Sequence, residues 1–199
     1  MLNFDINKFE ICFFNIPNQV IFGAVTHPEL KEPIILSLDI TANENGLLHM
    51  ELLNGNEKII EPYKQTIKDK NLSEEQTHIW NSLAEMLSHK TIFMNKLTKE
   101  KLMHQEIDSM CVLYHELGHL VHSDELQNVD LAARNELIEK GMVSPDEYLA
   151  DEYSYQKFGN KVCETLETQI EIARGLSDKA LLIKEFKMRI KHLKEKYGT

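Results

Sequence analysis

Long apolar runs are missing from this 199-residue chain, and their absence argues against a membrane-embedded protein. No stretch approaches the roughly 18 consecutive apolar residues that a membrane-spanning helix needs. Residues 1–5 also lack the basic and then apolar pattern of a secretory signal peptide. We therefore expect a protein of the cytoplasm that has no membrane span.

Cysteine is scarce, and the chain has only Cys12, Cys111 and Cys163. An odd, widely separated set argues against a disulfide framework and offers no paired-cysteine metal spacing. Such usage is typical of a reducing compartment, which agrees with a cytoplasmic location. We expect all three to be packing residues, although Cys111 precedes His115 by one helical turn and could reach toward it.

Positive charge is in deficit, because 22 Lys and Arg against 32 Asp and Glu leave a net charge of −10 at pH 7. Since affinity for nucleic acid depends on clustered Lys and Arg, we expect no nucleic-acid partner. The length and the apolar fraction of 42% are enough for a sizeable core. We expect a single domain over residues 1–199, with a β-rich part at 1–70 and a mainly helical part at 71–199. The oligomeric state does not follow from the sequence.

Two histidines four residues apart stand in His115-Glu116-Leu117-Gly118-His119. Apolar residues recur at three- and four-residue steps over residues 99–122, without a proline, and predict one helix there. Positions four apart lie one turn above each other on a helix, so both imidazoles can bind one metal ion. Glu116 points about 100° away from His115, which suits a general base for a metal-bound water better than a ligand.

A third ligand is predicted on a second helix, because catalytic zinc normally takes three protein ligands and a water. Ser144 is a typical N-cap and Pro145 a typical first residue for this helix. Glu147 is the best candidate for the ligand. Asp151, one turn later on the same face, is placed to accept the outer N–H of a liganding histidine. Gly118 costs about 1 kcal/mol relative to alanine inside a helix, so we expect a close backbone contact there.

This pattern resembles the gluzincin clan of zinc peptidases, whose thermolysin-like members carry His-Glu-x-x-His and then Glu-x-x-x-Asp on a following helix. The resemblance covers roughly residues 91–158. It implies a zincin-like fold, Zn²⁺ as cofactor, and zinc metalloendopeptidase (hydrolase) activity on a protein or peptide substrate. It also implies that His115, His119 and Glu147 are the ligands and that Glu116 is the base. Asp151 would be the carboxylate that accepts the outer N–H of a liganding histidine.

The subfamily stays open. His-Glu-Leu-Gly-His is the form found in small intracellular ImmA/IrrE-type peptidases, which cleave repressors in mobile elements and stress responses. The Glu-x-x-Ala-Asp form of residues 147–151 also resembles membrane-associated gluzincins related to the CAAX prenyl protease and the heat-shock peptidase.

The implied reaction is peptide-bond hydrolysis by a zinc-bound water, with Glu116 accepting the proton of the water and returning it to the leaving amine. A second donor must stabilise the oxyanion, and Tyr155, two turns beyond Glu147, is the candidate. Its rivals are Tyr148, Tyr153 and His122. A buried tyrosine often needs only a hydrogen-bond partner, so packing is the alternative role for Tyr155.

The first part of the chain predicts an antiparallel β meander, which makes the expected fold α+β. The predicted strands are residues 9–16, 19–26, 34–40, 47–53 and 58–60. The pairs Asn45-Gly46 and Asn54-Gly55 stand between such runs and are hairpin signals. A further β-like run at residues 91–97 either holds an extended substrate by strand addition or is a core strand.

Helices are predicted around and after the motif. Ser73 and Gln76 form a capping box that opens a helix at 74–89. Residues 161–174 form another, with Gly175 as its stop, and residues 177–197 form the last. The basic residues of this last helix predict either a solvated face or a contact with an acidic partner or anionic lipid.

Two alternatives to the enzyme stay open. One is a zincin-fold regulatory or binding module without proteolytic activity, in which the metal is structural or absent. The other is a helical interaction protein in which the histidine motif is accidental. Zinc content separates the last from the other two, and the effect of losing Glu116 separates the enzyme from the module.

Overall fold

The computed structural model describes residues 2–6, 9–15, 21–26, 29–30, 34–38, 46–53, 61, 65, 68, 72–74, 76–78, 81, 90–122 and 131–198. The chain divides into two compact units, Met1–Ile40 with Glu51–Met94 and Thr41–Met50 with Asn95–Thr199. The strands belong mainly to the first unit and the long helices to the second. The predicted α+β class is therefore confirmed.

The first unit contains a six-stranded sheet with the order β1-β2-β3-β4-β6-β5. Its strands are β1 (Leu2–Ile6), β2 (Phe9–Asn15), β3 (Ile21–Thr26), β4 (Ile34–Leu38), β5 (Met50–Leu53) and β6 (Thr91–Met94). Each of β1, β2 and β3 pairs antiparallel with the strand that follows it. β4 pairs parallel with β6, with Ile35 opposite Thr91.

The hairpin predicted at Asn45-Gly46 is wrong, because β6 lies between β4 and β5 in the sheet. A continuous antiparallel meander therefore does not extend beyond β4. The backbone of residues 47–49 is instead bonded within the helical unit. The side chains of Asn95, Gln169 and Thr98 make these bonds at 2.7, 3.0 and 2.9 Å. These distant partners decide the path of the chain, and a local turn signal contains no information about them.

β6 is a core strand, which settles the alternatives left open for residues 91–97. It has strand neighbours on both sides, so it offers no free edge to an extended peptide. Thr91, Ile92 and Met94 are almost fully buried.

The capping box is confirmed. The backbone N–H of Ser73 donates to Gln76 Oε1 at 3.1 Å, and the N–H of Gln76 donates to Ser73 Oγ at 3.2 Å. The helical residues at 74, 76–78 and 81 agree with the helix predicted at 74–89. The turn and strand predicted at residues 54–60 lie outside the described residues.

The helical unit contains six helices among its described residues. They are α1 (Lys96–Met103), α2 (Ile107–Val121), α3 (Leu131–Glu139), α4 (Pro145–Phe158), α5 (Lys161–Arg174) and α6 (Ala180–Tyr197). α4 begins as predicted, with Ser144 at the N-cap and Pro145 at the first position. α5 has its predicted bounds, and α6 begins three residues after its predicted start at 177.

The single helix predicted at 99–122 is wrong, because the chain breaks between α1 and α2. Gln105 adopts a left-handed φ of 55°. Its N–H donates to Leu102 O, and the N–H of Glu106 donates to Lys101 O, both at 3.0 Å. This pair of bonds is a Schellman motif, which usually has glycine at the left-handed position. Because glutamine stands there instead of glycine, the sequence gives no signal of a helix end. The apolar spacing also continues across the break.

A core cluster joins α2, α4, α5 and α6. Its buried members are Cys111, Tyr155, Val162, Cys163, Leu166, Ile170, Ile190 and Leu193. Cys111 and Cys163 are free thiols, and burial raises the pKa of Cys111 to about 11. The packing role predicted for these two is confirmed, whereas the side chain of Cys12 lies outside the described part. Among the described residues, no helix combines the length and apolar character that a membrane span requires.

Candidate metal centre

Both motif histidines lie on α2 and face each other. Their Nε2 atoms are 3.2 Å apart, and their rings meet edge to face with centroids 4.7 Å apart. His115 is buried and His119 is partly buried. The four-residue spacing therefore places two imidazole nitrogens close enough to bind one ion, as predicted from the helix period.

Glu147 on α4 brings a carboxylate to the same point. Its Oε2 lies 3.3 Å from His115 Nε2, and its Oε1 lies 3.6 Å from His119 Nε2. In a tetrahedral zinc site with bonds of 2.0–2.1 Å, neighbouring donor atoms lie about 3.3–3.4 Å apart. The structure thus brings together His115, His119 and Glu147 in a group that could hold a metal ion.

The two helices that carry these ligands approach closely at Gly118. A Cβ atom added there would lie 2.7 Å from the Cα of Ala150 and 3.0 Å from the Cβ of Tyr153. The close backbone contact predicted at Gly118 is confirmed. It lets α4 pack directly against α2, one turn from the ligands.

Gly118→Ala is expected to destabilise the protein by about 1–3 kcal/mol, because the methyl group must push α4 away from α2. At an unconstrained helix interior the same change stabilises by about 1 kcal/mol. Urea unfolding measures the difference. Gly175→Ala is the control, since a Cβ there meets only Ile172 O at 3.4 Å, and a stabilised Gly118→Ala protein would contradict the close contact.

Asp151 contacts the outer nitrogen of a candidate ligand. Its Oδ1 lies 2.8 Å from His115 Nδ1, and Asp151 is 1% exposed. Because a carboxylate accepts, Nδ1 carries a hydrogen, and Nε2 is the nitrogen that faces the ligand group. Burial and the Arg189 guanidinium lower the pKa of His115, but Asp151 and Glu147 outweigh them and raise it to about 9. His115 is therefore protonated at pH 7 in the absence of a metal ion, and an ion that binds there must displace the hydrogen on Nε2.

The pKa values of His119 and Glu116 also differ from their ordinary values. Burial, and then the neighbouring charge of His115, lower the pKa of His119 to about 4. Burial raises the pKa of Glu116 to about 7, and the charge of Glu147 acts in the same direction. His119 is therefore neutral at pH 7, which a metal ligand must be, and Glu116 can both accept and release a proton near neutral pH.

Arg189 is a buried residue of this site that the sequence did not predict. It lies on the basic helix α6, yet it is 5% exposed. Its Nε and Nη2 donate to the two oxygens of Asp151 at 2.7 and 2.6 Å, and its Nη1 lies 2.9 Å from Glu147 Oε2. Its spacing of three from Phe186 and four from Leu193 places it on the apolar stripe, and that signal could have revealed its burial.

A second arginine approaches Glu147 from α3. Arg134 Nη1 lies 2.9 Å from Glu147 Oε1, and its Nη2 donates to Glu185 Oε1 at 2.5 Å. Glu185 is 2% exposed. Burial alone would raise the pKa of Glu147, but Arg189, His115 and Arg134 outweigh it and hold this pKa well below its usual range.

The charge of this network fits a divalent cation. Among the described residues, four buried carboxylates face two guanidiniums, so two negative charges remain when all four carboxylates are ionised and both histidines are neutral, the state in which histidines bind a metal ion. The carboxylates are Glu116, Glu147, Asp151 and Glu185, and the guanidiniums are those of Arg134 and Arg189. In addition, the buried Oε2 of Glu147 accepts no hydrogen bond from the described residues, although it forms an ion pair with Arg189 Nη1 at 2.9 Å. A cation between the ligands would balance the excess negative charge and would give Glu147 Oε2 a partner.

The ring of Tyr155 packs in the apolar cluster that joins α2, α4, α5 and α6. It stacks on Tyr197 with centroids 4.3 Å apart. This environment matches the packing role that the sequence left open for Tyr155. Of its rivals, Tyr148 stacks on His192 at 4.1 Å, and Tyr153 lies 6.2 Å from Tyr114.

Comparison of the chain with family profiles, with curated proteins and with solved structures found no match. Any function assigned to this chain therefore rests on the residues of the site and on their chemistry.

Proposed function

We propose that this protein is a zinc-dependent metallopeptidase of the gluzincin type, with a zincin-like arrangement of α2 and α4. The observation that carries the proposal is the meeting of His115, His119 and Glu147, with donor atoms 3.2–3.6 Å apart and Asp151 behind His115. Two imidazole nitrogens and one carboxylate oxygen are a recurring donor set of catalytic zinc. The proposed substrate is a protein or peptide, and the proposed location is the cytoplasm.

The number of ligands supports a catalytic site over a structural one. Structural zinc sites are closed by four protein ligands, whereas catalytic sites have three and keep one position open. Among the described residues, the group of candidate ligands has three members. An open position is what peptide hydrolysis requires.

Bound zinc would supply a Lewis acid and a water of lowered pKa at this point. The residues of the chain would do the remaining work. Glu116 is buried on the same helix and would take a proton from the attacking water and deliver it to the leaving amine. Asp151 holds the ring of His115 in the required tautomer, and Arg189 holds Asp151.

A regulatory or binding module without proteolysis is the second candidate, and one observation favours it. Arg134 and Arg189 both lie 2.9 Å from Glu147, so this carboxylate is compensated by charge even before any ion binds. A site built in this way could serve as a structural element. The two candidates differ in whether Glu116 is needed.

The proposal predicts one zinc ion per chain in the purified protein, measured by elemental analysis after dialysis. His119→Ala is expected to weaken zinc binding by more than about 100-fold. Loss of a residue that only hydrogen-bonds to a ligand already lowers metal affinity by about 10–100-fold. His192→Ala is the matched control. His192 also faces a carboxylate, Glu152 Oε1 at 2.7 Å, but it is no member of the ligand group. Protein without stoichiometric zinc, and without thermal stabilisation by added zinc, would refute the proposal.

A further inference from the structure

Both oxygens of the candidate ligand Glu147 contact a guanidinium. Oε1 lies 2.9 Å from Arg134 Nη1, and Oε2 lies 2.9 Å from Arg189 Nη1. The side chain of Arg134 is 31% exposed, whereas that of Arg189 is almost fully buried. Because solvent and salt screen a buried charge much less than an exposed one, Arg189 is the stronger cation at this carboxylate. A metal ion that binds Glu147 must share it with a charge of the protein.

The guanidinium of Arg189 also reaches the histidine side of the ligand group. Its Nη2 lies 3.5 Å from His115 Nε2, the nitrogen that faces Glu147. An arginine keeps its charge in a protein and has only N–H donors, so it cannot itself bind a metal ion. Arg189 is therefore a fixed cation that lies against two of the three candidate ligands.

We propose that Arg189 competes with the metal ion for Glu147, balancing the charge of this carboxylate when no ion is bound and lowering the affinity of the site for zinc. This inference rests on the proposed function. Two like charges that lie close together in a buried region repel each other strongly. Zinc therefore binds at the expense of the contact between Arg189 Nη1 and Glu147 Oε2.

The second carboxylate partner of Arg189 makes this competition possible. Its Nε and Nη2 donate to the two oxygens of Asp151 at 2.7 and 2.6 Å, so the guanidinium stays anchored when Nη1 leaves Glu147. Asp151 contacts His115 Nδ1 directly at 2.8 Å. The orientation of the His115 ring thus depends on Arg189 only through Asp151. Loss of Arg189 should therefore act on zinc binding mainly through its charge.

Competition with a fluorescent zinc chelator measures the dissociation constant for zinc. Arg189→Met removes the charge and is expected to lower this constant by at least about tenfold. Arg189→Lys also loses the paired bonds to Asp151 but keeps the charge, so its constant should stay within about threefold of the wild-type value. A role limited to holding Asp151 predicts instead that both variants bind zinc more weakly, by about 10–100-fold.

Lys187→Met is the matched control. It removes the same charge from an exposed position on the same helix, so it should leave the dissociation constant unchanged.

A measurement on the wild type tests the inference even if Arg189→Met fails to fold. In isotope-labelled protein, the Nε–H of Arg189 gives its own NMR signal, which can be assigned from the backbone of this residue. We expect zinc to shift this signal, because Arg189 loses its contact with Glu147. A signal that stays unchanged while one equivalent of zinc binds overturns the competition.

The outcomes separate this inference from the proposed function. A wild-type protein that does not bind zinc at one ion per chain overturns the proposed function, and the inference with it. Stoichiometric zinc with equal or weaker binding in Arg189→Met overturns the competition and leaves the metal site intact. Equal gains of affinity in Arg189→Met and Arg189→Lys do the same, because the charge of Arg189 would then not be the cause.

Discussion

Glu116→Gln is expected to slow peptide hydrolysis by at least about 100-fold, because general acid-base catalysis contributes roughly 10²–10⁴-fold. Glutamine has the same shape but cannot accept the proton of the attacking water. Since Glu116 is not a member of the ligand group, the zinc content should remain at the wild-type value. Release of fluorescent peptides from labelled casein, measured at equal zinc occupancy, gives the comparison.

Glu152→Gln is the control for this experiment. Glu152 and Glu116 are both 8% exposed, but Glu152 pairs with His192 and Lys196, each at 2.7 Å. Its loss should change the rate only slightly. Equal cutting by wild type and Glu116→Gln would contradict the catalytic assignment, and zinc binding without cleavage by the wild type would favour the binding module.

Arg189→Met is expected to destabilise the protein by about 3–5 kcal/mol when measured by urea unfolding without metal. The arginine is 5% exposed and compensates the buried carboxylates of Asp151 and Glu147. Methionine fills similar space but leaves Asp151 without its guanidinium and Glu147 with that of Arg134 alone. Zinc should reduce the loss, because a divalent cation supplies part of the missing positive charge.

Lys187→Met tests whether the effect comes from the position or only from the lost charge. Lys187 is exposed, two residues earlier on α6, and its substitution should change the free energy of unfolding by no more than about 0.5 kcal/mol. Similar losses for both variants would show that Arg189 has no special role in the network.

Much of the candidate site could be predicted because its signals are local. The four-residue spacing of His115 and His119, and the Ser144-Pro145 helix start before Glu147, depend only on the helix period and on end preferences. Gly118 was informative because glycine is costly inside a helix, and the contact with Ala150 explains it.

The arginine network was missed because its partners are distant in sequence. Arg189 meets Asp151 across 38 residues, and Arg134 meets Glu185 across 51. An arginine on a basic helix predicts a solvated side chain, and only the packing of α4 and α3 against α6 buries this one. Tyr155 illustrates the converse, since it follows Glu147 by two turns but packs in the core cluster.

The sequence by itself determined α4, α5 and α6, most of the strands and the residues that could bind a metal, because these follow from periodicity, capping and donor chemistry over a few residues. Tertiary structure alone decided that β6 lies between β4 and β5, that α1 and α2 separate at Gln105, and that two arginines surround Glu147. The physical reason is that strand order and charge compensation depend on groups brought together by the whole fold, and short-range preferences contain no record of them.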